Sequence, residues 1–241
     1  MSVASRAAIA LLSLALCASA RAESRFTAVH LVPGAKADAV EQRYVELLHD
    51  RIAETTTAPV RVGPFSQPAA DELVICIGML SSHPELAARA HDLSLTPPSG
   101  LDPGKEGFVL ASKNRHGRQI VLAIGSDRRG VLYAVGEVLR RIVGRGDTVL
   151  FPADLELRSA PRWPMRGLGV SQGFTIRQLT GSREWTKAEL QRAHLDYALA
   201  GANTFELDEN NDRDGLFDFL KSYGLDTLAV IEGNTGSGPP A

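Results

Sequence analysis

The run Gln119-Ile120-Val121-Leu122-Ala123-Ile124-Gly125-Ser126-Asp127-Arg128-Arg129-Gly130-Val131-Leu132-Tyr133-Ala134 changes its hydrophobic period half-way along. Residues 119–124 form a nearly continuous apolar stretch, the pattern of a buried strand. Gly125 breaks it, and Asp127 stands where a carboxylate can accept the free N–H groups of a first helical turn. Val131, Val135, Val138, Leu139 and Ile142 then recur on one helical face, and Gly144 is the expected end of the helix. Immediately upstream, residues 107–112 read as another strand, and the polar segment 113–118 with its Gly117 suits a hairpin between the two. A hairpin feeding directly into an amphipathic helix fixes an α and β class for this part of the chain.

Working outward, residues 26–32 alternate weakly and read as a strand. Asp38 and Glu41 have the spacing of a capping box ahead of a helix whose apolar stripe is Val40, Tyr44, Leu47, Leu48 and Ile52. Residues 73–77 suit a strand buried on both faces, residues 94–104 a surface loop, and residues 154–158 an edge strand. The expected sum is a small α+β sandwich, a mixed sheet with two helices, holding no catalytic cluster. Arg128, Arg129, Arg140, Arg141 and Arg145 alternate with the apolar stripe and read as its solvated face. Gly125 and Gly130 have phosphate-loop spacing, but Val131 and Leu132 stand where Lys and Ser/Thr would grip phosphate, which argues against nucleotide.

Composition bounds the function classes. The chain has 241 residues, 44% hydrophobic and 22% charged, with a net charge of −2, so it should bury a core and its field does not attract nucleic acid or anionic lipid. Residues 1–22 read as a secretory signal. Arg6 precedes a ten-residue apolar run, too short for the ~20 that cross a bilayer, and small-x-small cleavage patterns end at Ala20 and Ala22. Cleavage would carry Cys17 away, take the net charge to −4, and make the product secreted or periplasmic, without a membrane partner. Cys76 is then the one thiol, with no disulfide available, and its apolar neighbours suit a structural role. No His, Cys, Asp and Glu set has metal-ligand spacing, so neither metal nor cofactor is expected.

Pro161-Arg162-Trp163-Pro164 is a stiff connector, each proline fixing its own φ and restricting its predecessor, so the domain boundary is placed at residues 160/161. Beyond it, residues 165–170 read as a strand. Thr186 and Glu189 form a second capping box for a helix using Leu190, Ala193, Tyr197 and Ala198 and closed by Gly201. Residues 203–207, 214–223 and 226–231 follow as strand, helix and strand. A βαβαβ order implies parallel pairing with right-handed crossovers, as in a doubly wound sheet or a (β/α)8 TIM barrel. Only some 80 residues of this unit precede Ala241, against ~250 for a full barrel, so a truncated barrel is expected. His194 reads as packed or solvated rather than catalytic.

The hairpin, the Gly125 to Ala134 turn and helix start, and the Pro161-Arg162-Trp163-Pro164-Met165-Arg166-Gly167-Leu168 connector resemble the N-terminal domain and barrel entry of family-20 β-N-acetylhexosaminidases and family-67 α-glucuronidases. The resemblance implies a secreted, exo-acting glycoside hydrolase whose residues 23–160 form a noncatalytic α+β domain and whose residues 161–241 begin a catalytic barrel. It gives Arg166 the place of a first-strand arginine that holds the hydroxyls of the terminal sugar. A guanidinium suits vicinal hydroxyls or a uronate, while a structural ion pair at the start of the strand is the equal alternative. Asp208, Glu209 and Asn210 fall where a barrel's second loop faces carbohydrate, with a solvated acidic loop as the other reading. The segment lacks the His-x-His of hexosaminidases, and the resemblance places the acid/base pair on strands beyond Ala241. A different class also fits, a stand-alone secreted carbohydrate-binding or interaction module without catalysis, in which the apolar faces of these strands must pack on the first region or dimerise.

Overall fold

The computed structural model describes residues 23–115, 118–169, 185–208 and 215–230; residues 1–22, read above as a secretory signal, lie outside them. Among the described residues, β1 (Glu23–Phe26), β2 (Ala28–Pro33), α1 (Ala39–Ala53), β3 (Val60–Val62), β4 (Glu72–Met79), α2 (Glu85–Asp92), β5 (Phe108–Arg115), β6 (Arg118–Gly125) and α3 (Arg128–Leu139) come first. They are followed by β7 (Val143–Arg145), β8 (Thr148–Pro152), β9 (Asp154–Ser159), β10 (Gly167–Gly169), α4 (Lys187–Leu199), β11 (Thr204–Asp208), α5 (Leu216–Lys221) and β12 (Asp226–Val230).

The central sheet has the order β3-β2-β4-β6-β5-β9 and is mixed. The strands β3, β2, β4 and β6 run parallel, whereas β5 pairs antiparallel with both β6 and β9. Because successive side chains of a strand face opposite ways, each central strand feeds two cores. Leu73, Ile75, Ile77, Val121 and Ala123 face α1 and α3, while Val74, Cys76, Leu122 and Ile124 pack with Leu86 and Ala90 of α2 on the other side. This explains the unbroken apolar run at residues 73–77. Burial pushes the Cys76 thiol up to about 12, so it stays protonated as a packing group.

The expected capping box at α1 is formed: Asp38 Oδ1 accepts from the N–H of Val40 at 2.9 Å and of Glu41 at 3.0 Å, and Glu41 accepts from the Asp38 N–H. Three features differ from the sequence reading. A third helix, α2, covers the second face of the sheet, so the first region has helices on both sides. Its eight residues begin after Pro84 with no side-chain cap, which leaves little local signature. The helix α3 ends at Leu139 rather than near Gly144, because residues 143–145 leave it to pair with β8. With β1, these strands form a small antiparallel sheet, β1-β8-β7, whose Phe26, Val149 and Phe151 close the core at one edge.

The second region is the parallel sheet β10-β11-β12, with α4 and α5 as its crossovers. The Thr186 and Glu189 box caps α4 as expected. Leu195, Ala198 and Leu199 of α4, Phe205 of β11, and Leu216, Leu220 and Leu225 join Tyr44, Val135 and Val138 in one continuous core. One face of the three-stranded sheet is therefore covered by α4 and α5, which join the core of the first region. At the centre of this seam the α3 backbone nearly touches α4: a Cβ on Gly136 would sit within 3.0 Å of the Leu199 carbonyl. Among the described residues no helix is long and apolar enough to cross a membrane.

Candidate functional site

The densest polar cluster at this seam is built around Glu106. This residue has φ 56°, a left-handed conformation that costs a non-glycine residue free energy and persists only where its surroundings impose it. Here they do. The Glu106 N–H donates to Asp127 Oδ2 at 2.7 Å, and the other oxygen of Asp127 caps α3 by accepting from the Gly130 N–H at 2.9 Å. The next residue is fixed as well, Gly107 N–H donating to Ser126 Oγ at 3.0 Å. The Gly-Ser-Asp turn that the sequence marks as a helix start thus also holds the backbone that aims the Glu106 carboxylate.

Glu106 is 4% exposed, and its carboxylate collects three donors from distant parts of the chain. Arg129 Nη1 donates at 2.9 Å, Asn203 Nδ2 at 3.2 Å to Oε2, and Arg166 Nη2 closes an ion pair with the same oxygen. Burial alone would raise the Glu106 carboxyl, but hydrogen bonds from Arg166 and Arg129 outweigh it and hold the group below the usual carboxylate range. Arg129 goes on to Asp226 Oδ1 at 2.6 Å and to the Gly224 carbonyl at 2.9 Å. The phenol of Tyr133, pushed up to about 12 by burial, accepts from Arg166 at 2.6 Å. Two arginines and two carboxylates balance, with Glu106 buried and Asp226 at the exposed edge of the cluster.

Arg166, expected at a sugar or in an ion pair, shows the ion pair. Its Nε donates to the Gly201 carbonyl at 2.5 Å, its Nη1 to the carbonyls of Trp163 at 2.6 Å and Pro164 at 3.5 Å, and its Nη2 to Glu106 and Tyr133. A guanidinium has five N–H donors, and each meets a protein acceptor. A sugar hydroxyl at Arg166 would have to displace one of them. A cleft of about 250 Å³ lies beside it, lined by Phe108, Tyr133, Arg140, Pro161 and Leu199, and there Arg140 is bound to Glu137 and to the Leu199 carbonyl.

Asp208 is the last residue of β11, paired in register with Val230; Glu209 and Asn210 lie outside the described residues. Arg166 precedes β10 and so stands at the N-terminal end of the sheet. At ~3.3 Å per residue the two ends of β11 are about 13 Å apart, so Arg166 and Asp208 are not brought together. His194 is packed: it is 1% exposed, its Nδ1 is 2.8 Å from the Leu190 carbonyl, and its ring lies 5.4 Å from that of Phe205. Arg129, read as part of a solvated face, is instead one of the two cations of the cluster. Sequence reasoning passed over Glu106 and Asn203, whose partners are 60 and 97 residues away. Among the described residues no three His, Cys, Asp or Glu side chains gather to hold a metal.

With this geometry established, solved structures provide the comparison. The chain is similar to a family GH115 4-O-methyl-α-glucuronidase with specificity for decorated arabinogalactans, at TM-score 0.57 and 16% identity, over 86% of this chain and 29% of that one. It is also similar to the GH20 exo-β-N-acetylglucosaminidase of Vibrio harveyi, at TM-score 0.54 and 10% identity, over 87% of this chain and 34% of that one. The fold is one shared with glycoside hydrolases. CpGH84B gives the same TM-score, 0.54, at 14% identity and over 34% of its length. The chain spans about a third of the length of these structures, and at such identities the likeness is one of fold. No family model and no curated protein matches the sequence.

Proposed function

We propose that this chain is the leading portion of an exported, exo-acting glycoside hydrolase, residues 23–160 forming a noncatalytic α+β domain and residues 161–241 the entry of a TIM barrel. The observation that carries the reading is the division of labour between the two ends of β10, β11 and β12. Their N-terminal ends are tied into the Glu106 cluster, while Asp208 closes β11 at the opposite end, the side on which parallel barrels carry their substrate loops. Asp208, Glu209 and Asn210 are proposed to hydrogen-bond the sugar. Glycoside hydrolysis needs two carboxyl groups about 5 to 9.5 Å apart, and these are proposed to come from barrel strands other than these three. Arg166 enters the reading as the anchor of β10. Export rests on the leader at residues 1–22.

The stand-alone binding module draws support from one specific feature. Phe205 of β11 and Leu216 and Leu220 of α5 share one buried core with Tyr44, Val135 and Val138 of the first region, so this face of the strands is buried without a completed barrel. Both readings predict carbohydrate contact at Asp208, and NMR titration of residues 23–241 with glucuronate-terminated and N-acetylglucosamine-terminated oligosaccharides tests it. The expected result is weak saturable binding, with Kd about 1 mM or above, weakened at least about fivefold in Asp208→Asn, roughly the net worth of one ordinary hydrogen bond. No binding by the parent chain, or equal binding by the variant, would overturn the assignment. Turnover of an aryl glycoside by this chain would contradict both the non-catalytic module and the placement of the acid/base pair on other strands.

A further inference from the structure

We infer that Glu106 is a positioning residue: from the first region it fixes where three consecutive parallel strands begin, and so where their far ends present substrate-facing residues. Each partner of its carboxylate leads to a different strand. Arg166 immediately precedes β10, Asn203 immediately precedes β11, and Arg129 passes the link to Asp226, the first residue of β12. These partners are also locked to one another. The Arg166 N–H donates to Asn203 Oδ1 at 2.9 Å, the Asn203 N–H to the Arg166 carbonyl at 3.2 Å, and the Asp226 N–H to the Asn203 carbonyl at 2.9 Å. One carboxylate therefore sets the mutual stagger of the three strands, and a strand slipped by one residue would present the opposite set of side chains.

The left-handed backbone at Glu106 supports the same conclusion. A glycine would take φ 56° without cost, yet the position holds a residue with a long acidic side chain. The conformation directs the carboxylate inward, beneath the Asp127 hydrogen bond that caps α3. Helix start, hairpin start and strand entry are thus coupled through neighbouring residues. The inference uses the proposed function only to interpret the far ends of the strands as substrate-facing; the coupling itself stands on the geometry.

Hydrogen exchange with mass spectrometry on residues 23–241 tests it, comparing the parent with Glu106→Gln and Glu106→Gly. Glu106→Gln removes the charge and keeps the left-handed backbone cost, whereas Glu106→Gly removes both, so the pair separates the two effects. The expected result is exchange at least about tenfold faster in residues 204–208 and 226–230 of both variants, with under about twofold change in residues 73–77 and 121–124. Glu106→Asp, which keeps the charge, should recover part of the protection. A uniform acceleration in both regions would make Glu106 a general stability residue, and no acceleration in residues 204–208 and 226–230 would leave it without a positioning role. Either result overturns the inference. Failure of the oligosaccharide titration, by contrast, would remove the sugar reading and leave these exchange patterns unchanged.

Discussion

Phe205→Ala should lower the stability of the whole chain by about 3 to 5 kcal/mol, the usual cost of emptying a buried aromatic site. The ring is 0% exposed and sits in the core shared by α1, α3, α4 and α5. At about 2 to 4 °C per kcal/mol for a protein of this size, the thermal midpoint should fall by roughly 10 °C. The seam is what makes the expectation specific. If β11 packed only within its own region, the variant would show an early partial transition while β4 and β6 kept their parent stability. A common core predicts a lower urea midpoint with an unchanged slope, because the surface exposed on unfolding is the same. Urea unfolding followed by circular dichroism decides between them.

Gly130→Ala should destabilise the fold by about 2 kcal/mol, although alanine is the better helix former by ~1 kcal/mol. Gly130 lies in the first turn of α3, and a Cβ there would fall within 3.0 Å of the Gly107 carbonyl oxygen, a backbone atom that cannot swing aside. Overpacking of this kind usually costs about 1 to 3 kcal/mol and occasionally more, which exceeds the propensity gain. The turn would have to lift from the hairpin, disturbing both the Asp127 cap and the Glu106 N–H bonded to it. A thermal midpoint at or above that of the parent would show that α3 does not rest on β5 as described.

Much of this architecture is legible in the sequence because its signals are local. Capping boxes at Asp38 with Glu41 and at Thr186 with Glu189 mark two helix starts, and both form. The hairpin is read correctly because its two strands are near neighbours. The sheet β1-β8-β7 is missed because its strands are three to five residues long and two of them pair across more than a hundred positions. The helix α2 is missed for want of a side-chain cap. The candidate site is the least legible part. Nothing near residue 106 in the chain distinguishes a solvated glutamate from one that meets two arginines and an asparagine, and the resemblance that singles out Arg166 leaves its partners unnamed. Tyr133 and Arg129 stand in the most distinctive motif of the chain, but their roles follow only once β10 and β11 are seated against α3.

The central claim is that the three parallel strands are fixed to the first region through a shared core and the Glu106 cluster. Limited proteolysis of residues 23–241, followed by mass spectrometry, tests it most directly, because cleavage reports local opening. The account predicts that peptides from residues 187–208 persist as long as those from residues 72–79 and 118–125. Early loss of residues 187–208, with accumulation of a resistant fragment ending near residue 160, would contradict it.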